Sequence, residues 1–167
     1  MNKQVNQETK SFNELILQIF AIDTLFLSVG DALTAPLNLT SARWKVLGKI
    51  ASQPQTVSAL ANNIGYARQS VQRIANLLVK NGLAEYLPNP QNKRAQLVTL
   101  TTQGEEKLLL VHKQQQAWIK RLMKALDPKI VEAMTNQLKD IFYVIQEDYI
   151  RELKNVKGGE HNDRRTK

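Results

Sequence analysis

The chain has 167 residues, no cysteine, and 23 Lys+Arg against 15 Asp+Glu, a formal net charge of +8 with a pI near 9.8. The absence of cysteine excludes disulfides, thiolate nucleophiles, thiol redox sensing and every cysteine-ligated metal centre. Two histidines far apart in sequence offer neither a zinc site nor a His-based triad. The length fits one domain with an added oligomerisation element, and the basic balance points to a polyanion partner. No apolar run reaches the length of a membrane span. The polar start, Met1-Asn-Lys-Gln-Val-Asn-Gln, carries no apolar signal core, so the expected compartment is the cytoplasm.

The spacing predicts a first helix over 11–34, with Phe12, Leu15, Ile16, Ile19, Phe20, Phe26, Val29 and Leu33 recurring at steps of three and four. Asp23 and Asp31 interrupt it and are expected to face solvent or a dimer partner. Thr40 reads as the N-cap of a second helix marked by Trp44, Leu47 and Ile50. After a loop at Ser52-Gln-Pro-Gln, Thr56 caps a short third helix with Val57, Leu60, Ala61 and Ile64 inward, closed by Gly65. A fourth helix follows over Arg68–Lys80, with Val71, Ile74, Leu77 and Leu78 as its buried stripe and Asn81-Gly82 as its stop.

The period then changes. Residues 83–87 and 95–100 read as two strands of a hairpin, joined by the proline-held basic loop Pro88-Asn-Pro-Gln-Asn-Lys-Arg94. Thr102 and Glu105 form a capping-box pattern that opens a fifth helix, which runs to Leu126. Asp127-Pro128 starts a sixth through Leu153, and the apolar-free end is expected to be a disordered tail over 155–167.

The charge is not spread evenly. Residues 1–39 carry a net −2 and residues 101–167 a net +3, whereas residues 40–100 hold eight bases against Glu85 alone, a net +7. A basic centre between near-neutral flanks is an electrostatic footprint for nucleic acid. The order helix, helix, short turn, helix, hairpin is a winged helix-turn-helix. The fourth helix, about 20 Å long, fits a major groove. Its non-core face shows Gln69, Gln72, Arg73, Asn76 and Lys80, flanked by Arg68 and Ser70, with no acid. Gln and Asn can pair bidentately with adenine and Arg with guanine. At the hairpin tip, Arg94 is the candidate for the minor groove and Lys93 for phosphate.

Val57-Ser-Ala-Leu-Ala, Ser70-Val-Gln-Arg-Ile, Leu77-Leu-Val-Lys-Asn-Gly-Leu, Asn89-Pro-Gln-Asn-Lys-Arg-Ala and Leu100-Thr-Thr-Gln-Gly give residues 39–104 a resemblance to the multiple-antibiotic-resistance-regulator (MarR) family. The flanking long helices match that family's layout. The resemblance implies a homodimeric bacterial transcription regulator, most often a repressor, released from DNA by a small, often aromatic, anionic effector. It would place the effector between the DNA-binding lobe and the dimer helices, with Arg43, Trp44 and Phe20 as lining candidates. The family's wing commonly reads Asp-x-Arg. Here Asn92 stands where Asp is usual, with Lys93 and Arg94 kept, and Ala67 stands where a capping Ser is frequent.

The expected architecture is therefore mainly α with a small β-hairpin wing. It comprises an N-terminal dimerisation helix (1–39), a winged helix-turn-helix (40–101), C-terminal dimerisation helices (102–154) and the tail. The long apolar stripes of the first, fifth and sixth helices exceed what a lobe of about 60 residues can cover, which argues for a two-fold dimer. Its two reading helices would lie about 34 Å apart on a pseudo-palindrome. No nucleophile motif, phosphate loop, metal cluster or cofactor site stands out, so an enzyme is not expected. His112 and His161 read as surface residues, and Trp44 and Trp118 as core or interface aromatics. The competing reading is a winged-helix protein-interaction module without DNA binding.

Overall fold

The computed structural model describes residues 2–162, with side chains described for 6–153. Six helices and three short strands follow the chain: α1 (Asn2–Thr34), a 3-10 turn (Ala35–Leu37), α2 (Ser41–Ser52), β1 (Gln55–Thr56), α3 (Val57–Ile64), α4 (Arg68–Lys80), β2 (Ala84–Leu87), β3 (Leu97–Leu100), α5 (Thr102–Leu122) and α6 (Pro128–Asn162). They form two compact units that divide after Ala117. The fold is the expected mostly helical winged helix with a small antiparallel sheet.

The helix-turn-helix is built from local signals. Thr40 accepts from Arg43 N at 3.3 Å and Thr56 from Ala59 N at 3.2 Å, each filling an orphan donor at a helix start. Gly65 (φ 76°) ends α3 and Gly82 (φ 70°) follows α4, both left-handed, where a side chain would be strained. Lys45 Nζ sits 5.6 Å from the Tyr66 ring centroid and pins the short α3–α4 turn onto α2.

Val46, Leu47, Leu60, Val71, Ala75, Leu78, Val98 and Val111 close the core of the first unit from α2, α3, α4, β3 and α5, and Ala84 adds β2. Each large side chain buried here contributes about 1.5–3 kcal/mol over leaving it exposed. The buried stripe of α4 is Val71, Ala75 and Leu78, with Ile74 and Leu77 only half-buried. This rotates the inward face from the one expected, because α4 packs on α2, α3 and β2 at once.

Elsewhere, too, the structure departs from the sequence expectation. The loop after α2 contributes β1, which pairs antiparallel with β3 (Gln55↔Val98, Thr56↔Leu97) and makes a three-stranded sheet in the order β1-β3-β2. Buried Gln55 donates to Lys49 O at 2.9 Å and accepts from Asn63 at 2.8 Å, so its amide joins the ends of α2 and α3. The cap of α5 is Thr101, not Thr102. Thr101 Oγ1 accepts from Gly104 N at 3.1 Å and donates to Gly82 O at 2.6 Å. Finally, α1 begins at Asn2, α5 stops at Leu122, and α6 continues to Asn162, into the segment expected to be disordered. Adding residues to an existing helix is far easier than nucleating one. Residues 163–167 of the expected tail lie outside the described residues.

The end of α1 docks on the start of α2. Asp31 Oδ1 accepts from Ser41 N at 2.7 Å, so this carboxylate binds a helix start rather than only facing water. Buried Thr34 donates to Gly30 O at 2.8 Å, and a Cβ at Gly30 would come within 2.9 Å of Ser41 Cβ. The rest of α1 leaves Phe12, Leu17, Phe20 and Leu25 exposed. By length and composition the stretch Asn6–Leu37, most of α1 with the 3-10 turn, is apolar enough to cross a membrane, contrary to the expectation that no segment would be. In the second unit, Asp127 Oδ1 accepts from Lys129 N at 2.9 Å with Pro128 as the first residue of α6, as predicted. There Ile130, Met134, Leu138, Phe142, Ile145 and Tyr149 are exposed.

Candidate nucleic-acid interface

Helix α4 separates two chemistries. Val71, Ala75 and Leu78 face the core, while Arg68, Gln69, Ser70, Arg73, Asn76 and Lys80 are exposed and Gln72 is half-buried. Ala67 precedes the helix with no side-chain cap, yet α4 starts at Arg68 and its first turn is open to solvent. Beside it runs a cleft of about 590 Å³ lined by Thr40, Arg43, Ser70, Arg73, Ile74, Asn76, Leu77 and Lys80. Three of these are bases and none is an acid, so the cleft carries an uncompensated positive potential. Arg43 Nη1 is held at 3.3 Å from Asn38 O, in the turn before α2.

Two of the predicted groups are joined by one that the sequence did not single out. Gln72 Nε2 donates to Asn76 Oδ1 at 3.0 Å and to Tyr86 Oη at 2.7 Å, and Tyr86 Oη donates to Asn76 Oδ1 at 2.6 Å. Tyr86 reaches α4 from β2, with its ring packed on the core. Burial pushes its phenol above the usual tyrosine range, against a smaller opposing effect of the Gln72 hydrogen bond. The only sequence signal for Tyr86 was an aromatic residue at a strand position; its partners lie 10 and 14 residues earlier.

Lys93 and Arg94 are exposed at the hairpin tip, on a loop of their own. Two side-chain turns build that tip. Asn89 Oδ1 accepts from Gln91 N at 3.0 Å, and Asn92 Oδ1 accepts from Arg94 N at 3.0 Å. Asn92 thus braces the Arg94 backbone, leaving the guanidinium without that residue as a partner. Of the effector-lining candidates, Arg43 lines the cleft, Trp44 packs half-buried on the core and Phe20 stays exposed on α1. His112 is exposed; the side chain of His161 lies outside the described residues. Among the described residues, no group of three or more His, Asp or Glu is gathered as a metal site.

A family model described as "MarR family" matches residues 37–95. An uncharacterized protein of Mycobacterium bovis is 31% identical over 132 residues, covering 79% of this chain and 92% of the relative. The chain belongs to the MarR family. Among solved structures, apo wild-type MarR from E. coli is 29% identical with a TM-score of 0.68, over 76% of this chain and 96% of that one. A cysteine-to-serine variant of E. coli MarR complexed with operator DNA is 30% identical with a TM-score of 0.69, over 78% and 96%. The fold is thus that of MarR-family transcription regulators.

Proposed function

We propose that the protein is a homodimeric transcriptional repressor that binds a pseudo-palindromic operator in duplex DNA and is released by a small anionic effector. The observation that carries this reading is the acid-free outer face of α4, cationic and amide-bearing, fixed by an apolar face sunk in the core. Arg68, Gln69, Ser70, Gln72, Arg73, Asn76 and Lys80 enter the major groove or meet its phosphates. Lys93 and Arg94 reach phosphate and the adjoining minor groove. The complex of E. coli MarR with operator DNA supports the same partner here.

A second copy of the chain covers the exposed apolar residues of α1 and α6. Lipid is a poor occupant for α1, because Asp23 lies within it and its end is bound to α2 through Asp31 and Ser41. An anionic effector is drawn to Arg43, Arg73 and Lys80 in the cleft, where it competes with DNA. A repressor of this kind works in the cytoplasm, where its DNA is.

Selection of bound fragments from random duplex DNA, repeated with a panel of phenolic acids, tests the reading. The expected product is an inverted repeat with half-sites about one helical turn apart. Affinity should fall steeply with salt as counterions are released, and the solution mass should be twice 19.0 kDa. Recovery of no enriched sequence would leave the protein-interaction module as the better account.

A further inference from the structure

We infer that Tyr86 is a specificity-determining positioning residue: it turns two ambivalent amides of α4 into a fixed acceptor at Gln72 and a fixed donor at Asn76. This rests on the reading of α4 as the groove helix.

The argument is a count of hydrogen-bonding capacity. A side-chain amide has two N–H donors and an oxygen with two lone pairs. Gln72 spends both Nε2 protons, one on Asn76 Oδ1 and one on Tyr86 Oη. Only its Oε1 remains. Asn76 Oδ1 receives both Gln72 Nε2 and the Tyr86 hydroxyl, which fills its lone pairs and leaves only the two Nδ2 protons. The Tyr86 hydroxyl accepts once and donates once, so the three groups close a tight triangle of bent hydrogen bonds.

Bidentate adenine recognition needs an amide with both an oxygen and an N–H to spare. Neither amide has that here. The pair offers outward an oxygen at Gln72 and, one helical turn on, an NH₂ at Asn76. The oxygen suits an exocyclic amine, N6 of adenine or N4 of cytosine. The NH₂ suits guanine O6 or N7, or thymine O4. The triangle also removes rotamer freedom from two long side chains before DNA arrives, lowering the ordering cost of binding.

The test compares base preferences selected from random duplex DNA by the full-length wild type and by Tyr86→Phe, which keeps the ring packed on the core. Gln72→Ala marks the position that Gln72 reads. The wild type should select adenine or cytosine there, and guanine or thymine at the position read by Asn76. In Tyr86→Phe each amide regains the group it lacked, and preference at these positions should shift toward adenine by about tenfold. The slope of log affinity against log salt should stay the same, because no phosphate contact is lost. In the free wild type, the side-chain amide protons of Gln72 should exchange with water more slowly than those of Asn76.

Identical preferences for the wild type and Tyr86→Phe would overturn the inference while leaving the DNA reading intact. So would equal exchange of the two amides. A wild type that selects no sequence would overturn both.

Discussion

The Ser41 amide lies 2.7 Å from Asp31 Oδ1, so a carboxylate from the end of α1 sits on the first turn of α2. That N–H, and then the Ser41 hydroxyl, hold the Asp31 carboxyl below its usual value of 3.8. The folded pKa is depressed, so the contribution to stability is present above about pH 3.8 and is lost as pH falls through the folded value. Asp31→Asn should melt slightly below the wild type at neutral pH, a small margin because the group is exposed. Melting curves in acid should converge. A constant gap down to the lowest pH would show that the charge on Asp31 contributes nothing.

Thr101 joins the turn after α4 to the start of α5, through Gly82 O and Gly104 N. Thr101→Ala should cost about 1–2 kcal/mol in denaturant unfolding, the usual loss for an N-cap. The neighbouring exposed Thr102 should tolerate alanine within about 0.5 kcal/mol. Equal losses would restore Thr102 as the cap.

Gly104 is buried in the first turn of α5, where a Cβ would overlap the Leu83 carbonyl. Gly104→Ala gains helix propensity but forces α5 off the sheet. The expected result is a net destabilisation of about 3 kcal/mol, at the upper end for overpacking. A more stable variant would mean that the helix start shifts freely.

On DNA, Arg73→Ala should cost about 1–3 kcal/mol on the selected site and relax its base preference. Loss of the same size on every sequence would reduce Arg73 to a phosphate contact. Arg94→Ala should weaken binding most on sites with a narrow flanking minor groove. No effect at moderate salt would remove the wing from the interface.

What could be read from the sequence was what neighbours in sequence decide. Thr40, Thr56, Gly65 and Gly82 act within three or four residues of their own positions, and the structure uses each as the spacing predicts. The polar face of α4 followed from helical period alone. The parts that were hidden depend on distant partners. Gln55 becomes a strand residue only because β3 arrives 43 positions later at Val98. Thr101 is chosen over Thr102 by the carbonyl of Gly82 on another element. Tyr86 looked like any strand aromatic until the fold set it against Gln72 and Asn76.

The two-residue pairing of β1 with β3 has a mechanical meaning. It stitches the loop between α2 and α3 to the hairpin, so α3 and the basic finger share one frame. At the root of that finger β3 is bonded on both edges, by β1 and by β2. In the proposed repressor, an effector that enters the cleft beside α4 expels the duplex directly, with this frame left standing.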